Sequence, residues 1–171
     1  AFSSALCTFT IVAFCLFAIT VLLNVQQERQ AARLTQLSAQ LEHAADHDPL
    51  TQLYNRRMAK TLIARYLEEK DPYASCGLLV IDVDFFKNVN DRYGHLFGDE
   101  VILTVASVVR DGFRSSDITG RIGGDEFAVF ARDALDENVI RNRCRQITAR
   151  LAEIDYPNGY RISVSMGISF Y

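Results

Sequence analysis

The sequence predicts an α/β (α+β) domain, a central sheet flanked by helices, preceded by a transmembrane helix and a helical stalk. Three observations predict it. All 18 Lys+Arg and 21 Asp+Glu residues lie at or beyond Glu28, so the chain starts with a long uncharged stretch. No Gly or Pro occurs before Pro49, so nothing breaks a helix there. Beyond Pro49, apolar patterns alternate in the order helix, strand, helix, hairpin, helix, strand, which suits one central sheet.

Residues 1–25 read as the transmembrane helix. Ala5–Leu23 contains only Thr8, Thr10 and Thr20 as polar residues. At 1.5 Å per residue it would span roughly 28 Å, close to the hydrocarbon thickness. A signal peptide, the alternative, has a shorter apolar run, a basic start and a small-residue cleavage site. Arg29 and Arg33 follow the span and favour a cytoplasmic C-terminal side. Residues 26–47 read as the stalk, rich in good helix formers. Leu34, Leu37, Leu41 and Ala44 are spaced as an a/d seam about two heptads long. That seam suits a dimeric coiled coil, or one amphipathic helix packing on its own domain.

Asp46–Asn55 reads as a turn. Arg56–Lys70 places Met58, Leu62, Ile63 and Tyr66 on one helical face. Gly77–Val83 is a short apolar run ending in acids and reads as a central strand buried on both faces. Phe85–Gly98 reads as a short helix plus loop, and Asp99–Arg110 as a helix with Val101, Val105, Val108 and Val109 inward. Ile118–Phe130 reads as a hairpin around Gly123-Gly124-Asp125-Glu126. Glu137–Ile154 repeats Ile140, Cys144, Ile147 and Leu151 at helical spacing. Arg161–Phe170 alternates as a strand.

Composition excludes several classes. An apolar content of 49% rules out disorder and collagen. A net charge of −3 gives no basic footprint, so nucleic acid is not an expected partner. The 4 cysteines form no CxxC or Cys/His cluster, so neither a zinc site nor a disulfide framework is indicated. Buried free thiols are expected.

The chemistry lies in misplaced acids. Asp82 and Asp84 end a buried strand, at alternate positions that share a face. A carboxylate there is costly unless paired or bound to metal. Asp125 and Glu126 follow two glycines, which let a backbone turn tightly and approach a ligand. Two acidic sites on neighbouring strands suit a hard divalent cation such as Mg²⁺, and so phosphoryl or nucleotidyl transfer. The alternative is acids that cap turns and face water, and Asp84 alone fits it equally well.

Four stretches carry a resemblance. Arg121-Ile-Gly-Gly-Asp-Glu-Phe127 resembles the signature of the GGDEF family, the diguanylate cyclases. Asp48-Pro-Leu-Thr-Gln-Leu-Tyr-Asn-Arg-Arg57 is similar to its opening motif, and Asp82–Asp91 and Gly94–Asp99 to its strand, loop and helix start. Residues 48–171 are thereby expected to be a GGDEF domain with a palm-like nucleotide-cyclase fold. The resemblance implies the reaction 2 GTP → cyclic di-GMP + 2 pyrophosphate, performed by a homodimer with Mg²⁺ (or Mn²⁺); the uncharged N-terminal segment adds the expectation of a bacterial cell membrane. It implies Asp82, the Val83 carbonyl and Asp125 as metal ligands, with Glu126 as a catalytic acid assisting the metal site or 3′-hydroxyl activation. Gly123 and Gly124 would let the backbone approach the nucleotide. Phe85, Phe86 and Lys87 would lie over the phosphates, and Asn90 and Asp99 would read guanine. A carboxylate can accept from guanine N1–H and N2–H₂, a donor pair adenine lacks. Taken alone, Asp99 also fits a helix N-cap and Asn90 a turn. Arg114 and Asp117 resemble the family's RxxD product-inhibition site. Arg141, Arg143 and Arg145 are expected to form a solvated helix face instead.

Two departures stand out. Gln52 replaces a frequent Gly. The chain also ends at Tyr171, where the family continues with another helix and strand, so it is expected to be a fragment truncated at both ends. Two other readings stay open: a non-catalytic receptor for GTP or cyclic di-GMP, and a membrane-tethered dimerisation module.

Overall fold

The computed structural model describes residues 20–34, 45–71, 73–133 and 136–171. The chain divides into two units, Ala1–Ala45 and Asp46–Tyr171. In the first, residues 20–34 form an exposed helix, α1. Most of the predicted transmembrane segment and the seam residues Leu37, Leu41 and Ala44 lie outside the described residues. No helix among the described residues is long and apolar enough to cross a membrane.

The second unit is built on a five-stranded sheet of order β1-β3-β4-β2-β5. Its strands are β1 (Tyr54–Asn55), β2 (Gly77–Val83), β3 (Ile118–Arg121), β4 (Glu126–Ala131) and β5 (Val164–Phe170). β1 runs parallel to β3, and the other neighbours are antiparallel. The helices are α2 (Arg56–Glu69), α3 (Phe86–Tyr93), α4 (His95–Gly112) and α5 (Glu137–Ala152).

Local chemistry starts the helices where the sequence places them. Asn55 caps α2 by accepting from the Met58 N–H at 2.9 Å. Asp136 caps α5 by accepting from the Asn138 N–H at 2.8 Å. The main core lies between one sheet face and α4 and α5. It joins Leu79 and Ile81 of β2, Phe127 and Val129 of β4, and the apolar stripes of both helices. Phe127 is wholly buried, which contributes about 2–3 kcal/mol. On the opposite face, α2 covers a smaller cluster of Ala59, Cys76, Ile118 and Phe130. Cys76 and Cys144 are buried free thiols, as expected.

The structure corrects three element readings. β2 is buried on one face only, because α2 packs on β1 and β3 and leaves Leu78 and Val80 each 38% exposed. Helix α4 begins at His95, not Asp99, since Gly94 at φ +84° turns the chain directly from α3 into it. Within Asp46–Asn55, β1 pairs with β3. Gln52 there adopts φ 60°, a left-handed conformation that costs a side-chain-bearing residue about 1–2 kcal/mol.

Candidate functional site

The candidate site forms where β2 ends against the β3–β4 turn. Pairing of β2 with β4 sets Asp82 opposite Glu126. The turn is strapped down by backbone bonds: Ile122 N–H to the Glu126 carbonyl at 2.9 Å and Val83 N–H to the Asp125 carbonyl at 3.2 Å. From outside the turn, Arg121 donates through Nη2 to the Gly124 carbonyl at 2.7 Å. Its Nη1 donates to Asp48 at 3.1 Å. The opening motif and the signature are thus one hydrogen-bonded structure.

The glycines contribute space rather than a left-handed turn. Neither Gly123 nor Gly124 has a positive φ. Gly123 provides room, since a Cβ there would collide with the Glu126 carboxylate. A Cβ on Gly124 would meet nothing within 4 Å, which leaves that backbone open to an incoming group.

Asp82 and Glu126 are exposed and Asp125 is half-buried. Asp82 therefore lies on the open face of β2 and not on a buried one, because α2 does not reach over it. Among the described residues, no basic side chain pairs with any of the three. Desolvation by its surroundings raises the Asp82 pKa above the ordinary 3.8, and the charges of Asp125, Glu126 and Asp84 push it further the same way. Asp84 is turned aside: it accepts from the Ser163 hydroxyl, and from the Ser165 hydroxyl at 2.6 Å. These partners from the β5 region give Asp84 a structural role.

Among the described residues no three metal-type side chains converge on one point. Mg²⁺ is commonly held by only one or two carboxylates plus substrate phosphates. Mutually repelling, unpartnered oxygen donors at Asp82 and Asp125 fit that pattern. The raised Asp82 pKa has a consequence for stability. A carboxylate whose folded pKa is raised destabilises the fold once pH exceeds its unfolded pKa. Asp82→Asn is therefore expected to raise the melting temperature at pH 7, with the gain disappearing below about pH 3.8. Thermal melts of both forms at pH 7 and pH 3 measure this; an equal or lower melting temperature at pH 7 would contradict it.

The remaining predicted residues follow the end of β2. Phe85 is left-handed at φ 57° and 79% exposed. Phe86 instead packs against the main core, and Lys87 is exposed. Asn90 is half-buried within α3 and Asp99 is exposed within α4. Position thus excludes Asn90 as a loop turn and Asp99 as the N-cap of that helix.

Arg114 and Asp117 line a separate cavity of about 170 Å³ with Arg132, Asp133, Ile140 and Arg143. Asp117 is only 9% exposed and accepts from the Arg114 N–H at 2.9 Å and the Arg132 N–H at 3.1 Å. Arg143 stands 3.9 Å from Asp117 and donates to the Gly112 carbonyl at 3.1 Å, so it is no solvated helix residue. Arg141 and Arg145 do pair on the exposed surface, with Glu137 and Asn142. The missed signal was spacing: Arg143 stands three residues after Ile140 and so borders the buried stripe.

Residues 45–171 match the family described as diguanylate cyclase, GGDEF domain. Diguanylate cyclase TpbB of Pseudomonas aeruginosa is 38% identical over 148 residues, covering 84% of this chain and 34% of that protein. Diguanylate cyclase DgcN of Escherichia coli is 32% identical over 148 residues, covering 85% of this chain and 36% of that protein. The chain thus spans about a third of the length of these relatives. Among solved structures, the coiled coil and GGDEF domain of DgcB from Caulobacter crescentus, in complex with c-di-GMP, superposes with a TM-score of 0.80. It is 27% identical, covering 86% of this chain and 80% of that one. The GGDEF domain of PA1120 (TpbB or YfiN) from Pseudomonas aeruginosa gives a TM-score of 0.68 at 34% identity, covering 73% and 75%.

Proposed function

The chain belongs to the GGDEF diguanylate cyclase family, and from that premise we propose that it condenses two GTP into cyclic di-GMP and two pyrophosphates. The observation that carries this reading is the trio Asp82, Asp125 and Glu126, unpaired among the described residues beside the open Gly124 backbone. Asn90 and Asp99 read guanine, and Lys87 offers a cation to the phosphates. Glu126, exposed opposite Asp82, would assist the metal site or take up the proton of the substrate 3′-hydroxyl. A divalent cation on Asp82, Asp125 and the Val83 carbonyl would neutralise phosphate charge and favour ionisation of that hydroxyl.

Each domain holds one GTP. The 3′-oxygen of each nucleotide forms a bond to the α-phosphorus of the other, and each α-phosphorus releases pyrophosphate. Two copies must therefore face each other, so the enzyme works as a homodimer. Residues 26–47 are the segment that would pair them, and the uncharged residues 5–23 would anchor them in a bacterial cell membrane with the domain in the cytoplasm. The cavity at Arg114 and Asp117, with Arg132 and Arg143, would take the product and inhibit turnover. The three arginines offer guanidinium forks for a phosphate or a guanine edge, and the Asp117 carboxylate can accept from a guanine edge.

The test is to incubate the full-length protein with GTP and Mg²⁺ and to identify the product by mass. Cyclic di-GMP with pyrophosphate is the expected result. A dimeric sample that binds GTP without turnover would establish a nucleotide receptor instead.

A further inference from the structure

We propose that Gly98 is a positioning residue for guanine recognition, because the space its missing side chain leaves is where the Asn90 carboxamide sits. This rests on the cyclase reading above and on Asn90 as a guanine reader. Gly98 is buried in the first turn of α4. A Cβ built on it would collide with Asn90 Oδ1, lie 3.0 Å from Asn90 Cγ and lie 3.3 Å from Phe86 Cζ. The carboxamide thus rests against the Gly98 backbone, with Phe86 closing the other side.

Backbone bonds fix the two helices at this point. The Asn90 carbonyl accepts from the Gly94 N–H at 2.9 Å, and the Gly94 carbonyl accepts from the Gly98 N–H at 3.1 Å. Asp99 follows Gly98 directly, so one helical turn sets both predicted guanine readers. No hydrogen bond from the protein orients the Asn90 carboxamide among the described residues. Contact with Gly98 is therefore what holds it, and its polar atoms stay available to a ligand.

Adding a methyl group does not harm the helix itself, since Ala is the better helix former by about 1 kcal/mol. Any loss must come from contact. Phe86 blocks the methyl's other direction, so the carboxamide has to rotate away. A misplaced carboxamide leaves guanine polar groups unpaired, which weakens binding by about tenfold or more. The reacting atoms are untouched.

The experiment titrates the full chain with Mg²⁺ and GDP, which carries the base but no pyrophosphate to release, and separately with inorganic pyrophosphate. Expected for Gly98→Ala is GDP affinity about tenfold weaker and pyrophosphate affinity unchanged. Asn90→Ala should weaken GDP similarly, and the double variant should be no worse than Asn90→Ala, because the colliding group is gone. Melting curves accompany each variant. A double variant that loses the product of both effects would overturn the proposal, as would Gly98→Ala binding GDP normally. If Gly98→Ala alone fails to fold, the double variant decides: recovery of the fold identifies Asn90 as the colliding group, and continued failure overturns the inference. Failure of the unmodified chain to bind GDP overturns the cyclase reading, and this inference with it.

Discussion

Asp125→Asn is expected to reduce cyclic di-GMP formation at least about a hundredfold, or roughly 2.7 kcal/mol of transition-state stabilisation. The same variant should melt no lower than the unmodified protein. The two halves of this expectation come from one observation. The Asp125 carboxylate has no hydrogen-bond or ion-pair partner among the described residues, while its charge raises the Asp82 pKa. Folding therefore gains nothing from the charge. The backbone contribution, the Asp125 carbonyl accepting from Val83 N–H at 3.2 Å, survives the substitution. Asn keeps the shape and one oxygen and removes the negative charge that a bound cation requires. Product assays and thermal melts on the same preparation check both halves. Retention of more than a tenth of the activity would remove Asp125 from catalysis. A melting temperature lowered by several degrees would make it a structural acid.

The acids were legible by position, at a strand end and after two glycines, although the burial that singled out Asp82 is absent, since it lies on the open face of β2. Helices α2 and α5 and the β3–β4 hairpin were legible from apolar spacing and turn residues. What escaped has physical causes. The run Gly77–Ile81 is apolar at successive positions, a pattern that reads as two-sided burial. Leu78 and Val80 are exposed because of where α2 docks, which no local pattern encodes. The first turn of α4, His95–Gly98, carries no apolar period of its own and depends on the Gly94 turn. β1 is two residues long, too short for any period. The hydrogen bonds of Asp84 to Ser163 and Ser165 join residues about eighty positions apart. Gly98 belongs to the same class: its importance is a volume, visible only once Asn90 is placed in it.

Asp48→Ala is expected to destabilise the domain by about 2 kcal/mol and to impair turnover with it. Asp48 Oδ1 accepts from the Thr51 N–H at 2.8 Å and the Thr51 hydroxyl at 2.7 Å. Arg121 Nη1 reaches it at 3.1 Å, with only 15% of the Arg side chain and 18% of the Asp side chain exposed. Burial alone would raise the Asp48 pKa. The Thr51 bonds and the Arg121 guanidinium outweigh it and hold the carboxyl below 3.8. A carboxyl depressed in this way contributes stability that is fully present above its unfolded pKa and is lost as pH falls through its folded one. The melting difference between the unmodified protein and Asp48→Asn should therefore be largest near neutrality and close below pH 3.8. Arg121 also holds the Gly124 carbonyl at 2.7 Å, so freeing it from Asp48 loosens the turn that presents Asp125. A double-mutant cycle with Arg121→Ala isolates that link. Coupling of about 1–2 kcal/mol in stability, with the double variant no less active than Arg121→Ala alone, is the expected result. Strictly additive losses would mean that Asp48 only stabilises its own turn through Thr51, and that the opening motif has no hold on the signature.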